Sequence, residues 1–227
     1  MTKIYVIGIG YNPFDEKTRE IVCNSEIILA SYRLFEVFKR YEEFEIVKDK
    51  VMVIDNVSET ISYMKSAVST RQSAMISLLA SGDPMFFGIG RRIINEFGKE
   101  RVEILPDLSS IQIAFSRIKE PWDDALLISL HGGPDPTKRR KLTYELKDIP
   151  LLLKKYKKIA ILTDKENNPS EIAKVLHSSL FTRHLRLTMY VCERLGYPDE
   201  KIIEAKPGDS ATMSFADTNV VIIIQKS

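Results

Sequence analysis

The chain has 227 residues, 44% of them hydrophobic, which is enough apolar material for one large domain or two of about 100 to 130 residues each. Its 33 Lys and Arg stand against 31 Asp and Glu, so the bulk charge does not suggest a nucleic-acid binder and leaves that question to local clusters. Cys23 and Cys192 lie far apart without CxxC or Cys/His spacing, which argues against a disulfide framework or a zinc site and fits a reducing cytoplasm. No stretch approaches 18 uninterrupted apolar residues, so neither a membrane span nor a targeting segment is expected.

In chain order, the apolar run Ile4-Tyr5-Val6-Ile7 followed by Gly8-Ile9-Gly10 predicts a first parallel strand that ends in a ligand-facing turn. Gly8-Ile9-Gly10 begins like a dinucleotide fingerprint, but Pro13 stands where the third glycine belongs. The next strand, Glu26 to Ala30, ends in Ala30-Ser31 rather than in the acid that holds a ribose hydroxyl. Taken alone, the glycine pair reads equally well as a tight turn. Residues 15–24 are expected to form a helix with Asp15 and Glu16 in its first turn. A second helix over 31–41 carries Leu34, Phe35, Val37 and Phe38 at helical spacing, a face meant for the core. A short strand is expected at Val51 to Ile54, followed by a helix over 58–69 with Ser58 as its cap.

The run Met75 to Ala80 reads as a strand buried on both faces, and it stops in Ser81-Gly82-Asp83-Pro84. In open parallel sheets the carboxyl ends of strands are where ligands sit. Gly82 permits a positive φ or a close backbone approach, and Asp83 either offers a carboxylate there or is the N-cap of an ordinary strand-to-helix turn. A helix over 86–97 stopped by Gly98 and a strand over 101–105 closed by Pro106 come next. Asp107-Leu108-Ser109-Ser110-Ile111 then opens a helix whose free N–H groups either receive a ligand carboxylate or are capped by Ser109. The polar, proline-containing stretch Lys119 to Asp124 is the expected boundary, giving domains 1–119 and 120–227.

Beyond it, strands are expected at 125–130, 158–163, 185–192, 201–205 and 219–225, with a helix over 170–179. Consecutive strands without a helix between them predict a mixed sheet. His131, in the loop His131-Gly132-Gly133-Pro134-Asp135-Pro136, is a proton acceptor, a ligand contact or a structural residue. Basic clusters fall at Arg91-Arg92, Lys138 to Lys141 and Lys154 to Lys158.

Several segments together carry a family resemblance: Val6 to Gly10, Ala80 to Gly90, Pro106 to Ala114, Pro121-Trp122-Asp123-Asp124-Ala125, Ser129 to Gly132, and Glu193 to Gly196. The chain resembles the tetrapyrrole methylases over essentially its whole length. Phe86 to Gly90, Pro121 to Asp124 and Leu130-His131-Gly132 resemble more particularly the cobalt-precorrin-7 (C5)-methyltransferases of cobalamin biosynthesis.

The resemblance implies two α/β domains, the first mainly parallel and the second mixed, with S-adenosylmethionine in the cleft between them. It also implies a homodimer and a tetrapyrrole substrate, and involves neither a metal site, a membrane nor a nucleic acid. Ile9, Gly82, Asp83, Phe86, Ser110, Ile111, Leu162 and Leu195 are its cofactor-binding positions. Tyr11, Arg91 and His131 are its substrate-side candidates, with His131 also the one candidate for a catalytic role. Where the superfamily usually has Gly-Pro-Gly-Asp or a similar glycine-rich stretch after the first turn, this chain has Gly10-Tyr11-Asn12-Pro13. Two other functions stay open: a superfamily methyltransferase acting on RNA or a modified protein histidine, and a non-catalytic nucleotide-binding regulator.

Overall fold

The computed structural model describes residues 2–71, 73–132 and 142–226; the basic cluster Lys138 to Lys141 and the loop positions Gly133 to Pro136 lie outside them. The chain divides into two compact units, Met1–Ser109 and Ser110–Ser227.

The first unit is a five-stranded, wholly parallel sheet in the order β3-β2-β4-β1-β5. Its strands are β1 (Lys3–Ile9), β2 (Ile27–Ala30), β3 (Val51–Val53), β4 (Met75–Ser81) and β5 (Val102–Leu105). The two central strands, β1 and β4, read as almost continuous apolar runs because helices cover both faces of such a sheet. Ile4, Val6, Ile76 and Leu78 are buried accordingly.

Helix α1 (Glu16–Asn24) starts where Asp15 accepts the Thr18 N–H at 2.7 Å, and α2 (Tyr32–Phe38) is capped by Ser31, whose hydroxyl accepts the Leu34 N–H. Helix α3 (Phe44–Val47), unannounced by the sequence pattern, sets Phe44 edge-on to Phe35 and Phe38 at 5.6 Å. The apolar face of α2 is therefore satisfied inside the unit. Helix α4 (Val57–Thr70) is capped not by Ser58 but by Asn56, whose side-chain Oδ1 accepts from the Ser58 and Glu59 N–H groups at 2.8 and 3.2 Å. Helix α5 (Gly90–Phe97) begins four residues later than its pattern suggests, because Phe87 at φ +54° breaks the helical path.

The second unit opens with α6 (Ser110–Ile118), which packs on β7 (Lys158–Leu162) and β10 (Asn219–Lys226) and therefore belongs with the second sheet. The units thus part at residues 109 and 110, ahead of the expected break at 119 and 120. The sheet has the order β6-β7-β10-β8-β9, with β6 (Leu126–Ser129), β8 (Arg186–Glu193) and β9 (Lys201–Ala205). β6 and β7 run parallel and every other pair antiparallel, so the sheet is mixed, as expected. Helices α7 (Ile149–Lys155), α8 (Pro169–Ser178) and α9 (Pro207–Ser210) complete the unit.

Within the basic cluster 154–158, Lys158 is not a surface cation. It is buried and donates to the Asp124 carboxylate at 2.8 Å and the Pro121 carbonyl at 2.7 Å, which ties the segment before β6 to β7. Among the described residues no helix is long and apolar enough to cross a membrane, and no cluster of His, Cys, Asp or Glu has the makings of a metal site. Cys23 and Cys192 are both free thiols.

Candidate functional site

The order β4-β1-β5 puts three strand ends side by side, and their turns are joined by backbone hydrogen bonds. The Gly82 N–H donates to the Ile9 carbonyl at 3.0 Å, and the Asp107 N–H donates to the Gly82 carbonyl at 3.3 Å. These approaches require glycine. A Cβ on Gly8 would lie 1.9 Å from the Gly82 carbonyl oxygen and 2.5 Å from the Asp107 nitrogen. Gly82 itself stands at φ +57°, and a Cβ there would lie 2.7 Å from the Leu108 carbonyl oxygen. Gly8 is thus explained by backbone crowding rather than by a phosphate. Gly10 differs, because nothing lies within 4 Å of where its Cβ would be.

The turn after β1 is held from two sides. The Gly10 N–H donates to the Tyr41 hydroxyl at 2.8 Å, and the Tyr41 ring lies 4.6 Å from that of Phe14. Burial, the largest influence on it, pushes the Tyr41 hydroxyl up to about 12. From the other side Asp107 accepts the Tyr11 N–H at 2.8 Å and the Asn12 N–H at 3.3 Å on one oxygen. Its second oxygen accepts the Asn12 side-chain amide at 2.6 Å and the Leu108 N–H at 2.7 Å. Asp107 and Tyr41 did not stand out in the sequence. The one available signal was a carboxylate directly after Pro106 at a strand end, and which turn it reaches depends on β5 lying beside β1.

Asp83 accepts the Met85 N–H at 2.8 Å and is half-buried. It therefore closes the turn locally and is not the cap of a helix, since α5 begins beyond it at Gly90, with Ile89 in the cap position. Ile9 and Gly82 are buried and shape this edge through their backbones, whereas Phe86 is half-buried and Arg91 exposed in the first turn of α5. The structure thus brings Ile9, Tyr11, Gly82, Asp83 and Phe86 to one edge of the first sheet.

In the second unit Ser110 and Ile111 begin α6, Ser110 half-buried and Ile111 fully buried. His131, Leu162 and Leu195 follow or end β6, β7 and β8, and the strand directions put these three at one edge of the second sheet. His131 is exposed, Leu162 half-buried and Leu195 buried.

Asp164 organises this edge by accepting N–H groups of Gly132 at 2.9 Å, Glu166 at 3.0 Å and Asn167 at 2.7 Å. The Asn167 amide returns to the Leu130 carbonyl at 2.8 Å. Buried Glu193 accepts the Ala216 N–H at 2.6 Å, and Thr163 donates to Asn219. A cleft of about 280 Å³ opens beside these loops, lined by residues including Asn168, Ser170, Met213, Phe215 and Asn219. No motif marked it, since its walls come from the start of α8 and the segment before β10.

Comparison with known proteins gives these edges a context. Residues 3–210 match the model of the tetrapyrrole (corrin/porphyrin) methylases. The chain is 30% identical over 207 residues to the probable cobalt-precorrin-7 C(5)-methyltransferase of Methanocaldococcus jannaschii, covering 88% of this chain and 87% of that one. It is 32% identical over 142 residues to the cobalt-precorrin-7 C(5)-methyltransferase of Salmonella typhimurium, covering 63% of each. Its fold matches uroporphyrin-III C-methyl transferase of Thermus thermophilus in complex with S-adenyl homocysteine, with a TM-score of 0.67 at 18% identity over 97% of this chain and 96% of that one. The parallel and mixed sheets, the joined strand ends and a match running from β1 to α9 make one result: this chain belongs to the tetrapyrrole (corrin/porphyrin) methylase family and is a methyltransferase.

Proposed function

We propose that this enzyme transfers the methyl group of S-adenosylmethionine to C5 of cobalt-precorrin-7 or its metal-free counterpart, acting as a cytoplasmic homodimer. The observation that carries the reading is the relative named for that reaction, which aligns over 88% of this chain and spans both sheets. The cofactor candidates are Ile9, Gly82, Asp83, Phe86, Ser110, Ile111, Leu162 and Leu195, and the substrate candidates are Tyr11, Arg91 and His131.

The first-sheet edge suits a sulfonium nucleoside. The space beside Gly10 is open and the half-buried Asp83 carboxylate is a ready acceptor for ligand N–H or O–H groups. When bound, the cofactor supplies a methyl group that is already activated. The chain then has to hold a carbon nucleophile in line with it, about 3 to 3.5 Å away, and exclude water. A reduced tetrapyrrole has an electron-rich meso carbon, so attack needs no strong base. Deprotonation of that carbon follows methyl transfer, and exposed His131 is the candidate acceptor.

The test is incubation with carbon-13-methyl S-adenosylmethionine and the tetrapyrrole, read by mass spectrometry and NMR. One labelled methyl at C5 is expected. Label at another ring position, or in RNA or protein with the tetrapyrrole untouched, refutes the reading.

A further inference from the structure

The loop that leaves Asp83 is wound around a single carbonyl. The Gly90 N–H donates to the Pro84 carbonyl at 2.8 Å, and Cβ atoms on Gly88 and Gly90 would lie 2.5 and 2.9 Å from that same oxygen. Closing the chain on so small a radius sets residue 87 at φ +54°. That is left-handed backbone, strained for any residue with a Cβ and a clear outlier for a bulky one.

Glycine would relieve the strain, and the chain uses glycine for a comparable φ at Gly82, five residues earlier. Position 87 instead carries a phenyl ring that fills no core. It is 37% exposed and rests edge-on against Phe86, with centroids 4.9 Å apart and planes at 80°. Sequence and backbone together thus retain an apolar ring at a conformation that disfavours it, in the loop that follows a ligand-facing strand end. Strain of this kind clusters at active sites and ligand clamps.

We propose that Phe87 is a specificity-determining residue whose ring meets the flat conjugated face of the tetrapyrrole. The inference rests on the function proposed above. A tetrapyrrole offers two kinds of surface, peripheral carboxylates that cations hold and a π face that suits an apolar or aromatic group. Phe86 braces the Phe87 ring in one orientation, so that contact fixes the plane of the macrocycle. The plane decides which ring carbon stands in line with the methyl group.

Three full-length variants separate ring from strain. Phe87→Ala removes the ring and keeps the strain, Phe87→Gly removes both, and Phe87→Tyr keeps the ring. The expected results are that Phe87→Gly melts above Phe87→Ala, and that both bind S-adenosylhomocysteine in calorimetry within about twofold of wild type. Both also raise KM for the tetrapyrrole about tenfold, as loss of a stacked aromatic contact would, whereas Phe87→Tyr stays near wild type. An unchanged tetrapyrrole KM in the Ala and Gly variants, with the wild type active, overturns this inference alone. Loss of S-adenosylhomocysteine affinity in parallel with KM would place Phe87 at the cofactor and overturn it too. A wild type that leaves the tetrapyrrole unmethylated removes the functional reading and this inference with it.

Discussion

Replacing Gly8 with alanine tests whether the three strand ends are as closely joined as the geometry says. The added Cβ would sit 1.9 Å from the Gly82 carbonyl oxygen and 2.5 Å from the Asp107 nitrogen, both backbone atoms that no rotamer change can move aside. The β4 turn must retreat by more than 1 Å, roughly the shortfall from an ordinary contact. Overpacking of this kind costs about 1 to 3 kcal/mol.

The retreat also breaks two hydrogen bonds that cross the edge, Gly82 N–H to Ile9 and Asp107 N–H to Gly82, worth about 0.5 to 1.5 kcal/mol each. Against these stands about 0.4 to 1 kcal/mol gained because alanine has less freedom when unfolded. The net loss is about 1 to 6 kcal/mol, or roughly 2 to 22 °C of melting temperature for a protein of this size. Calorimetry or circular dichroism at pH 7 measures it. A Gly8→Ala protein melting within about 1 °C of wild type, half of the smallest loss expected here, would refute the crowding argument.

Two further outcomes follow from the turn after β1. Asp107→Ala removes the acceptor of both the Tyr11 and Asn12 N–H groups, so amide exchange at these residues should accelerate about tenfold or more, with the β2 amides unchanged. Equal protection in mutant and wild type would mean that the carboxylate does not hold the turn. The Tyr41 hydroxyl is raised to about 12 from its ordinary 10, chiefly by burial, so the unfolded chain ionises first as pH rises. Stability linked to this group is complete below pH 10 and declines between pH 10 and about 12, by about 1 to 3 kcal/mol. Tyr41→Phe should remove that part of the alkaline decline in denaturant titrations, and identical slopes for the two proteins would contradict it.

The amino-acid sequence by itself determined the strands, because buried parallel strands demand uninterrupted apolar runs such as Ile4 to Ile7 and Met75 to Ala80, and these signals are local. The mixed second sheet was legible for a similar reason, since β8 and β9 follow one another without a helix between them. Gly82 and Asp83 were legible as a turn at a strand end, and the family as a combination of spaced motifs.

Other features only the tertiary structure decided. Gly8 is required because β4 and β5 flank β1 and bring the Gly82 carbonyl and the Asp107 nitrogen against it, a crowding that depends on strand order. Asp107 reaches Tyr11 and Asn12 across 95 or more residues, a pairing that no local pattern announces. Lys158 looks like part of a basic run but is buried on Asp124, because its strand places it under the segment that precedes β6. Phe87 read as the second residue of a helix, and the packing of Gly88 and Gly90 around the Pro84 carbonyl overrode that propensity. Helical periodicity reports which faces are apolar; it carries no information about how tightly a loop must close, and that closure is what set the strained ring beside the site.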